Sequence, residues 1–197
     1  MYYLNFLMII LKLSRDGDKK IFMKVIILCG GRGTRLAEET KIIPKPLVKV
    51  GKLPILIHII NYYRKFGFNE FIIATGYKGN LIKKYFEKKT NIKGIKIIDT
   101  GLNTMTGGRL LRLKPYLKNE ENFMLTYGDG LSNIDLIKLL KFHFRHKKTV
   151  TLSAVRPPVR FGELTIRKSL VIDFREKTQT KMGWINGGFF VIEPAFF

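Results

Sequence analysis

Glycines and cationic residues follow a short apolar run near the start of the chain. The run Val25–Cys29 leads into Gly30 and Gly31, then into Arg32-Gly33-Thr34-Arg35, and Pro44-Lys45-Pro46 follows shortly afterwards. Glycine lets the backbone approach a ligand closely, so that successive N–H groups converge on an anion, and Arg and Lys pair with phosphate oxygens. The pattern predicts a phosphate-binding turn at the end of a strand, and an ordinary glycine turn with solvated arginines is the alternative.

Two familiar nucleotide-binding motifs do not fit this turn. Gly31-x-Gly33 is followed by Leu36 at the position where the dinucleotide-binding motif needs a third glycine. No Gly-Lys-Ser/Thr follows, which excludes the P-loop. The glycines therefore indicate another class of α/β nucleotide site, at the carboxyl end of a buried strand.

A carboxylate in a second turn adds a metal ligand to this chemistry. Asp129 lies between Gly128 and Gly130, directly after an apolar run that predicts the strand Phe123–Tyr127. Mg2+ prefers oxygen ligands and commonly takes one or two carboxylates together with substrate phosphates. Asp129 is therefore the candidate Mg2+ ligand, although an aspartate in such a turn can also serve only to form an Asx turn.

Later segments carry further residues suited to a sugar phosphate or a nucleotide. Arg109 falls in the first turn of a predicted helix, where a cation opposes the helix dipole, and this favours a ligand-facing arginine over a solvated one. Lys177, which follows Glu176 after a predicted strand, can pair with a phosphate. Asn186, before Gly187, can hydrogen-bond sugar hydroxyls.

Apolar and polar stretches alternate from Met23 onward as they do in α/β proteins. Strands are predicted at Lys24–Cys29, Glu70–Thr75, Ile95–Asp99, Phe123–Tyr127, Thr149–Val155, Leu164–Ile166, Leu170–Phe174 and Gly188–Ile192. Helices are predicted from Pro54 to Phe66, over Gly79–Lys88 and Gly108–Leu117, and over Ile134–His146 with a cap at Ser132 or Asn133. The expected fold is an α/β, Rossmann-like, mostly parallel mixed sheet with helices on both faces.

The chain of 197 residues is strongly basic, with 36 Lys and Arg against 15 Asp and Glu, which gives a net charge of +21. Nucleic acid, an anionic membrane surface and small phosphorylated substrates all fit this excess. The lysines are spread in pairs such as Lys83-Lys84 and Lys147-Lys148, without a long basic tract. This distribution favours a phosphate-handling protein over an RNA-binding module, which remains an alternative.

The single cysteine and the N-terminal segment bear on the cellular location that the sequence predicts. Cys29 alone excludes an internal disulfide, predicts a core thiol instead of a nucleophile, and fits a cytoplasmic location. The apolar run Tyr2–Leu13 is too short to span a bilayer and lacks the flanks of a signal peptide. We expect residues 1–22 to be an extension outside the core, with a membrane-touching anchor as the alternative, and residues 23–197 to form one domain.

Taken in order, the motifs resemble those of the sugar-phosphate nucleotidyltransferases. They occur here as GGRGTRLAEET, PKP, GYKG, DTG, TMTGGR, TYGDGLSN, RFGEL, FREK and INGGFFV, and they cover nearly all of residues 23–197. The TMTGGR and TYGDG forms are closer to the branch that transfers CMP from CTP to glucose 1-phosphate than to the thymidylyl or uridylyl branches. The resemblance implies a Mg2+-dependent enzyme of nucleotide-sugar biosynthesis, as in lipopolysaccharide O-antigen assembly.

By this resemblance, each matched position takes a role in an in-line transfer that depends on positioning and charge neutralisation. The nucleotide would be bound by Leu28, Cys29, Gly30, Gly31, Arg32, Gly33, Thr34, Arg35, Lys45, Thr104, Arg109 and Gly128. The sugar phosphate would be bound by Glu176, Lys177, Asn186 and Gly187. Mg2+ would bind Asp129, and the catalytic residues would be Arg35, Lys45, Asp129 and Lys177.

The chain also departs from the family pattern in two places. The link between Thr90 and Ile95 is shorter than in the family, and the family's C-terminal part, with a second metal aspartate and much of the subunit packing, does not follow Phe197. We therefore expect a C-terminally incomplete domain whose full-length form is a homo-oligomer. A nucleotidyltransferase for another nucleotide or sugar 1-phosphate, and a non-catalytic nucleotide-binding remnant, are the alternatives.

Overall fold

Strands and helices alternate along the chain, as the sequence predicts. A computed structural model describes residues 11–13, 19–33, 42–89, 92–157, 163–175 and 183–197. The strands are β1 (Leu11–Leu13), β2 (Lys19–Cys29), β3 (Lys49–Val50), β4 (Leu53–Pro54), β5 (Phe68–Thr75), β6 (Ile95–Asp99), β7 (Phe123–Tyr127), β8 (Val150–Val155), β9 (Glu163–Arg167), β10 (Leu170–Arg175) and β11 (Ile185–Ile192). The helices are α1 (Ile55–Lys65), α2 (Gly79–Glu87), α3 (Thr106–Leu117) and α4 (Leu136–His146), with 3-10 turns at Lys45–Leu47 and Pro194–Phe196.

A seven-stranded sheet brings the predicted site segments to one edge. Its strands lie in the order β6-β5-β2-β7-β11-β8, and β1 pairs with β2 outside this path. The pairs β6–β5, β5–β2 and β2–β7 are parallel, whereas β7–β11 and β1–β2 are antiparallel. This confirms the predicted mostly parallel mixed sheet. Because parallel strands end on the same side, the carboxyl ends of β2, β5, β6 and β7 share one edge.

Strand β2 is buried on both faces, which explains its uninterrupted apolar sequence. Val25, Ile26 and Ile27 are each fully buried. Val25 and Ile27 belong to the core cluster that contains Leu56 of α1, whereas Ile26 belongs to the cluster that contains Leu113 of α3. Successive side chains of a strand point to opposite faces. Helices therefore cover both faces of the sheet, as predicted.

Strand β2 begins earlier than the sequence pattern indicates. It starts at Lys19 instead of Lys24, and Ile21 is fully buried in the core. The Ile21 amide donates to the Gly67 carbonyl at 2.9 Å, and β1 pairs antiparallel with the first residues of β2. Gly67 is distant in sequence, and the polar pair Lys19-Lys20 interrupts the apolar pattern, so the sequence alone does not reveal the start of the strand.

Two helices also begin at residues other than the expected ones. Helix α3 starts at Thr106 instead of near Gly108. Helix α4 starts at Leu136, and its cap is Asp135, whose Oδ1 accepts hydrogen bonds from the amides of residues 137 and 138 at 3.0 Å. The predicted caps Ser132 and Asn133 are wrong, because the Ser132 hydroxyl instead accepts from the amide two residues later. None of the helices in the described ranges has the length and apolar character needed to cross a membrane.

The chain separates into two compact units, one formed by Leu152–Gly187 and the other by the remaining residues. The smaller unit contains the antiparallel hairpin β9–β10. Its two turn residues, Lys168 and Ser169, have φ of 47° and 64°. Two successive positive φ values are typical of the tight turn whose twist matches that of a hairpin. The two strands predicted in this region are thereby confirmed.

A buried histidine connects α4 to the edges of the sheet. His143 Nδ1 lies 2.7 Å from Thr151 Oγ1, and its Nε2 lies 2.9 Å from Asn122 Oδ1. An amide oxygen only accepts, so Nε2 donates to Asn122, and the neutral ring accepts at Nδ1 from the Thr151 hydroxyl. Burial and, to a smaller extent, the neighbouring His146 lower the pKa of His143 to about 4. The carboxylate of Glu193, 3.9 Å from Nε2, does not reverse this direction.

We expect His143 to make the fold less stable at mildly acidic pH. The unfolded chain takes up the proton near the ordinary histidine pKa of about 6.5, whereas the folded chain resists until about pH 4. The stabilising contribution is therefore complete above about pH 6.5 and is lost progressively as the pH falls towards 4. Urea unfolding at a series of pH values should show a steeper loss for the wild-type chain than for His143→Gln. Parallel losses in the two proteins would contradict this role.

Candidate active site

A cavity of about 300 Å³ opens at the edge where the parallel strands end. Its walls come from the end of β2, the 3-10 turn, the start of α3 and the end of β7. The residues that line it are Leu28, Cys29, Gly30, Gly31, Gly33, Lys45, Pro46, Thr104, Met105, Thr106, Arg109, Tyr127, Gly128 and Asp129. Most of the residues that the sequence assigned to the nucleotide thus lie around one space.

The two glycines after β2 differ in their surroundings. Gly30 is buried, and a Cβ atom at this position would overlap the guanidinium of Arg109. Gly31 is exposed to the cavity, and a Cβ there would meet nothing within 4 Å. Close packing therefore requires glycine at position 30. At Gly31 the backbone lies open on the side from which a ligand would approach.

Lys45 and Asp129 form an ion pair in the lining of the cavity. The Lys45 Nζ atom lies 2.5 Å from Asp129 Oδ2, and both side chains are partly exposed, at 26% and 38%. Lys45 is placed by the 3-10 turn that follows Pro44, and Asp129 by the turn that ends β7. A partly exposed ion pair adds little to stability. Its chemical value is that a cation and a carboxylate, separated by 84 residues in sequence, are held at one point of the cavity.

Gly128 holds Asp129 close to the core. Its amide donates to the Leu28 carbonyl at 2.9 Å. A Cβ atom on Gly128 would lie 2.5 Å from Cys29 Sγ, 2.9 Å from the Leu28 carbonyl oxygen and 3.1 Å from Pro46 Cγ. Only glycine allows the end of β7 to lie this close to the end of β2, and this contact determines where the carboxylate points.

Arg109 does not point into solvent as a ligand-seeking side chain would. It is 5% exposed, and its Nη atoms donate to protein oxygens of Gly30, Thr75, Thr100, Gly101 and Leu102. Burial lowers its pKa, with Arg112 adding to this effect and Asp99 opposing it. The arginine lines the cavity, but its hydrogen bonds go to the surrounding loops.

Arg32 also differs from its expected placement. It is exposed, does not line the cavity, and donates to Asn103 Oδ1 at 3.2 Å. This bond links the glycine turn to the loop that precedes α3. Thr34, Arg35, Glu176 and Lys177 lie outside the described residues. Asn186 and Gly187 lie at the start of β11, within the smaller compact unit.

Sequence reasoning missed four residues that line the cavity. They are Pro46, Met105, Thr106 and Tyr127. All four stand inside motifs that were recognised, and Pro46, Met105 and Tyr127 are directly next to Lys45, Thr104 and Gly128 respectively. The signal available in the sequence was therefore adjacency to a motif residue, but adjacency does not tell which side chains face the ligand.

Cys29 lies beneath the cavity as a core residue. Its thiol is 2% exposed, burial raises its pKa, and the negative charge of Asp129 raises it further. A buried thiol that stays protonated is not an effective nucleophile. The structure therefore agrees with the prediction of a packed core cysteine, and its contribution to a ligand site would come from its backbone.

The donor set around Asp129 fits a magnesium ion that shares its ligands with a substrate. In the part of the chain that the structure describes, no three His, Cys, Asp or Glu side chains lie together as a metal cluster. One carboxylate completed by phosphate oxygens and water is a common arrangement for Mg2+. Asp129 offers that carboxylate and is paired with Lys45.

Comparison with known proteins identifies the family of this chain. A model described as "Nucleotidyl transferase" matches residues 24–197. The chain belongs to the nucleotidyl transferase family. The family assignment confirms the resemblance that the motifs indicated, and with it the interpretation of the chain as an enzyme.

Individual members of the nucleotidyl transferase family are similar over most of the chain. The chain is 43% identical over 195 residues to the glucose-1-phosphate cytidylyltransferase of Salmonella typhimurium, a match that covers 88% of this chain and 76% of that protein. It is 43% identical over 196 residues to a probable glucose-1-phosphate cytidylyltransferase of Bacillus subtilis, with 89% and 76% covered. It is 38% identical over 178 residues to a D-glycero-alpha-D-manno-heptose 1-phosphate guanylyltransferase of Campylobacter jejuni, with 89% and 78% covered.

A solved structure supports the nucleotidyl transferase fold independently. HddC from Yersinia pseudotuberculosis superimposes with a TM-score of 0.67 at 26% identity, over 88% of this chain and 78% of that chain. The predicted α/β architecture is thereby confirmed.

Gly128→Ala should destabilise this nucleotidyl transferase, whereas Gly130→Ala should not. The added methyl group at position 128 would collide with Cys29 Sγ and the Leu28 carbonyl, and overpacking of this kind costs about 1–3 kcal/mol. A Cβ on Gly130 would meet nothing within 4 Å. Thermal unfolding should therefore show a melting temperature several degrees lower for Gly128→Ala only. Equal melting temperatures in the two variants would show that the approach of β7 to β2 is not tight.

Proposed function

We propose that the chain transfers CMP from CTP to α-D-glucose 1-phosphate, producing CDP-glucose and pyrophosphate. The observation that carries the proposal is the pairing of Lys45 with Asp129 in a glycine-walled cavity, in a chain 43% identical to proteins named as glucose-1-phosphate cytidylyltransferases. The cavity supplies a cation and a metal-type carboxylate, and the relatives' names indicate the substrates.

In the proposed reaction, one phosphate oxygen of glucose 1-phosphate attacks the α-phosphorus of CTP. A new P–O bond forms, the bond from the α-phosphorus to the bridging oxygen of the β-phosphate breaks, and pyrophosphate leaves with that electron pair. The attacking oxygen is already anionic at neutral pH, so no covalent enzyme intermediate and no strong base are needed. Catalysis consists of alignment and charge neutralisation.

The described residues suit those two tasks. The open backbone at Gly31 can approach the triphosphate, and Lys45 can move from Asp129 to phosphate oxygens, where its point charge is most useful. Arg35 would neutralise the leaving pyrophosphate, and Glu176, Lys177, Asn186 and Gly187 would hold the sugar phosphate, as the family resemblance implies. The positive charge of the whole chain favours approach of both anionic substrates.

Magnesium belongs to the same proposal. Asp129 would hold it, and the ion would supply charge stabilisation at the transferred phosphate. With Asp129 holding the ion, Lys45 would be available to the phosphates of the nucleotide. A cytoplasmic location and a homo-oligomeric full-length form are further expectations of this proposal.

A guanylyltransferase is the second candidate. It is favoured by the 38% identity to the Campylobacter jejuni heptose 1-phosphate guanylyltransferase. Backbone contacts from glycines do not distinguish one base from another. The two candidates therefore share the cavity and differ in the nucleotide and the sugar.

Pyrophosphate release from each of the four nucleoside triphosphates separates these candidates. Each triphosphate is combined with Mg2+ and either glucose 1-phosphate or D-glycero-alpha-D-manno-heptose 1-phosphate. We expect release with CTP and glucose 1-phosphate only. A preference for GTP would favour the guanylyltransferase. CTP binding by calorimetry without release from any combination would indicate a non-catalytic remnant.

Asp129→Asn should abolish pyrophosphate release while the fold stays intact. The ion pair is partly exposed, so its loss should change the free energy of unfolding by less than about 1 kcal/mol. Glu87→Gln, which alters an exposed carboxylate 4.0 Å from Lys83, is the matched control and should keep full activity. Near-normal turnover of Asp129→Asn with Mg2+ would contradict the metal assignment.

Lys45→Ala should slow the reaction by removing the mobile cation. A preorganised charge partner is worth about 2–4 kcal/mol in the transition state, so kcat/KM should fall on the order of 30-fold to 1,000-fold. Steady-state kinetics at saturating glucose 1-phosphate measure this loss. An increase in the KM for CTP with unchanged kcat would mean that Lys45 binds substrate and transition state equally.

A further inference from the structure

The guanidinium of Arg109 fills the space between the ends of three neighbouring strands. Its Nη2 atom donates to the Gly30 carbonyl after β2 at 2.9 Å. Its Nη1 atom donates to the Thr75 carbonyl at the end of β5 at 3.0 Å and to the Gly101 carbonyl after β6 at 2.7 Å. Thr100 Oγ1 accepts a further bond at 2.8 Å. One side chain thus connects three strand ends that are distant in sequence.

The Nη hydrogens of Arg109 are taken up by protein oxygens. An arginine side chain carries five N–H hydrogens, one on Nε and four on its two Nη atoms. Five protein oxygens lie within hydrogen-bond distance of those atoms, the fifth being the Leu102 carbonyl at 3.5 Å. Among the described residues, no carboxylate forms an ion pair with Arg109. The chain therefore keeps a buried positive charge at the cavity and uses its donors to hold backbone.

Glycines make room for this arrangement. A Cβ on Gly30 would overlap the guanidinium, and a Cβ on Gly76 would lie 2.5 Å from Arg109 Nη1 and 2.7 Å from the Gly101 carbonyl oxygen. In contrast, a Cβ on Gly107, at the start of the same helix as Arg109, would meet nothing within 4 Å. Glycine at positions 30 and 76 is thus required by the arginine itself.

We propose that Arg109 is a positioning residue that holds the glycine turn after β2 in its phosphate-binding shape. It does so through the carbonyls of Gly30 and Gly101. That the turn binds phosphate rests on the proposed function. That Arg109 fixes the conformation of the turn does not depend on it. Two consequences separate this role from direct binding. The turn should change in the unliganded protein when Arg109 is replaced, and a substituted glycine that displaces the guanidinium should reproduce the change.

Amide hydrogen exchange of the unliganded protein tests the first consequence. The Tyr77 amide donates to the Gly30 carbonyl at 3.3 Å, and the Thr100 amide donates to the Thr75 carbonyl at 2.9 Å, so both report on carbonyls that Arg109 also contacts. The Gly128 amide, which donates to the Leu28 carbonyl, is the internal control. The variant Arg109→Lys keeps the positive charge but loses the two Nη donor groups of the guanidinium. In this variant, amide exchange at Tyr77 and Thr100 should accelerate about tenfold or more, while exchange at Gly128 stays near its wild-type rate.

Gly76→Ala tests the second consequence and covers the case in which Arg109→Lys does not fold. It should accelerate exchange at the same two amides with Arg109 still present, whereas Gly107→Ala should keep the wild-type rates. Unchanged exchange in Arg109→Lys together with lost CTP binding would overturn the proposal and make Arg109 a direct ligand contact. Equal acceleration at all three amides would overturn it in favour of a general loss of stability.

Steady-state kinetics complete the test for an active wild-type enzyme. Arg109→Lys should lower kcat/KM for the nucleotide about 100-fold and change the KM for the sugar phosphate less than about threefold, because only the nucleotide side of the cavity loses its support. A role in stability alone would leave kcat/KM per folded molecule unchanged. If the wild-type chain releases no pyrophosphate from any triphosphate, the proposed function fails, while the exchange experiment still decides the role of Arg109.

Discussion

Burial of strand β2 on both faces is the constraint on which the remainder of the structure depends. Val25, Ile26 and Ile27 leave neither face of the strand open to water, so its register between β5 and β7 is fixed by packing on two sides. The carboxyl end of the strand then delivers Gly30 and Gly31 to the edge where the neighbouring strands also end. Stability comes from the sheet, and the polar chemistry is built on the turns that leave it.

The charges at that edge are of two physical kinds. Lys45 and Asp129 form a partly exposed pair that contributes little to stability and can separate at small cost. Arg109 is buried, and its desolvation is offset by the carbonyls and the hydroxyl that surround it and by the nearby charge of Asp99. An exposed pair suits groups that must change partners during a reaction, whereas a buried cation with fixed acceptors suits a group that must not move. The same cavity therefore combines exchangeable charges with a rigid frame.

The comparisons and the geometry support the function at different levels. The family match and the fold establish a nucleotidyl transferase, and the cavity shows where a nucleotide could bind. The choice between cytosine and guanine is not visible in glycine-rich backbone, because backbone N–H groups meet phosphates in the same way whatever the base. Nucleotide selection must therefore depend on side chains that surround the base.

Features that depend on neighbouring residues were determined by the sequence itself. The alternation of strands and helices, the glycine turns after β2 and β7, and the family all follow from local patterns, because periodicity and turn chemistry act over a few residues. Only the tertiary structure decided the early start of β2, the Asp135 cap, the bond from Arg32 to Asn103 and the inward direction of Arg109. Each of these features depends on which distant segments pack together, or on which of several nearby groups forms a given hydrogen bond. A side chain's direction is set by which acceptors burial leaves unsatisfied, and that is a property of the folded chain.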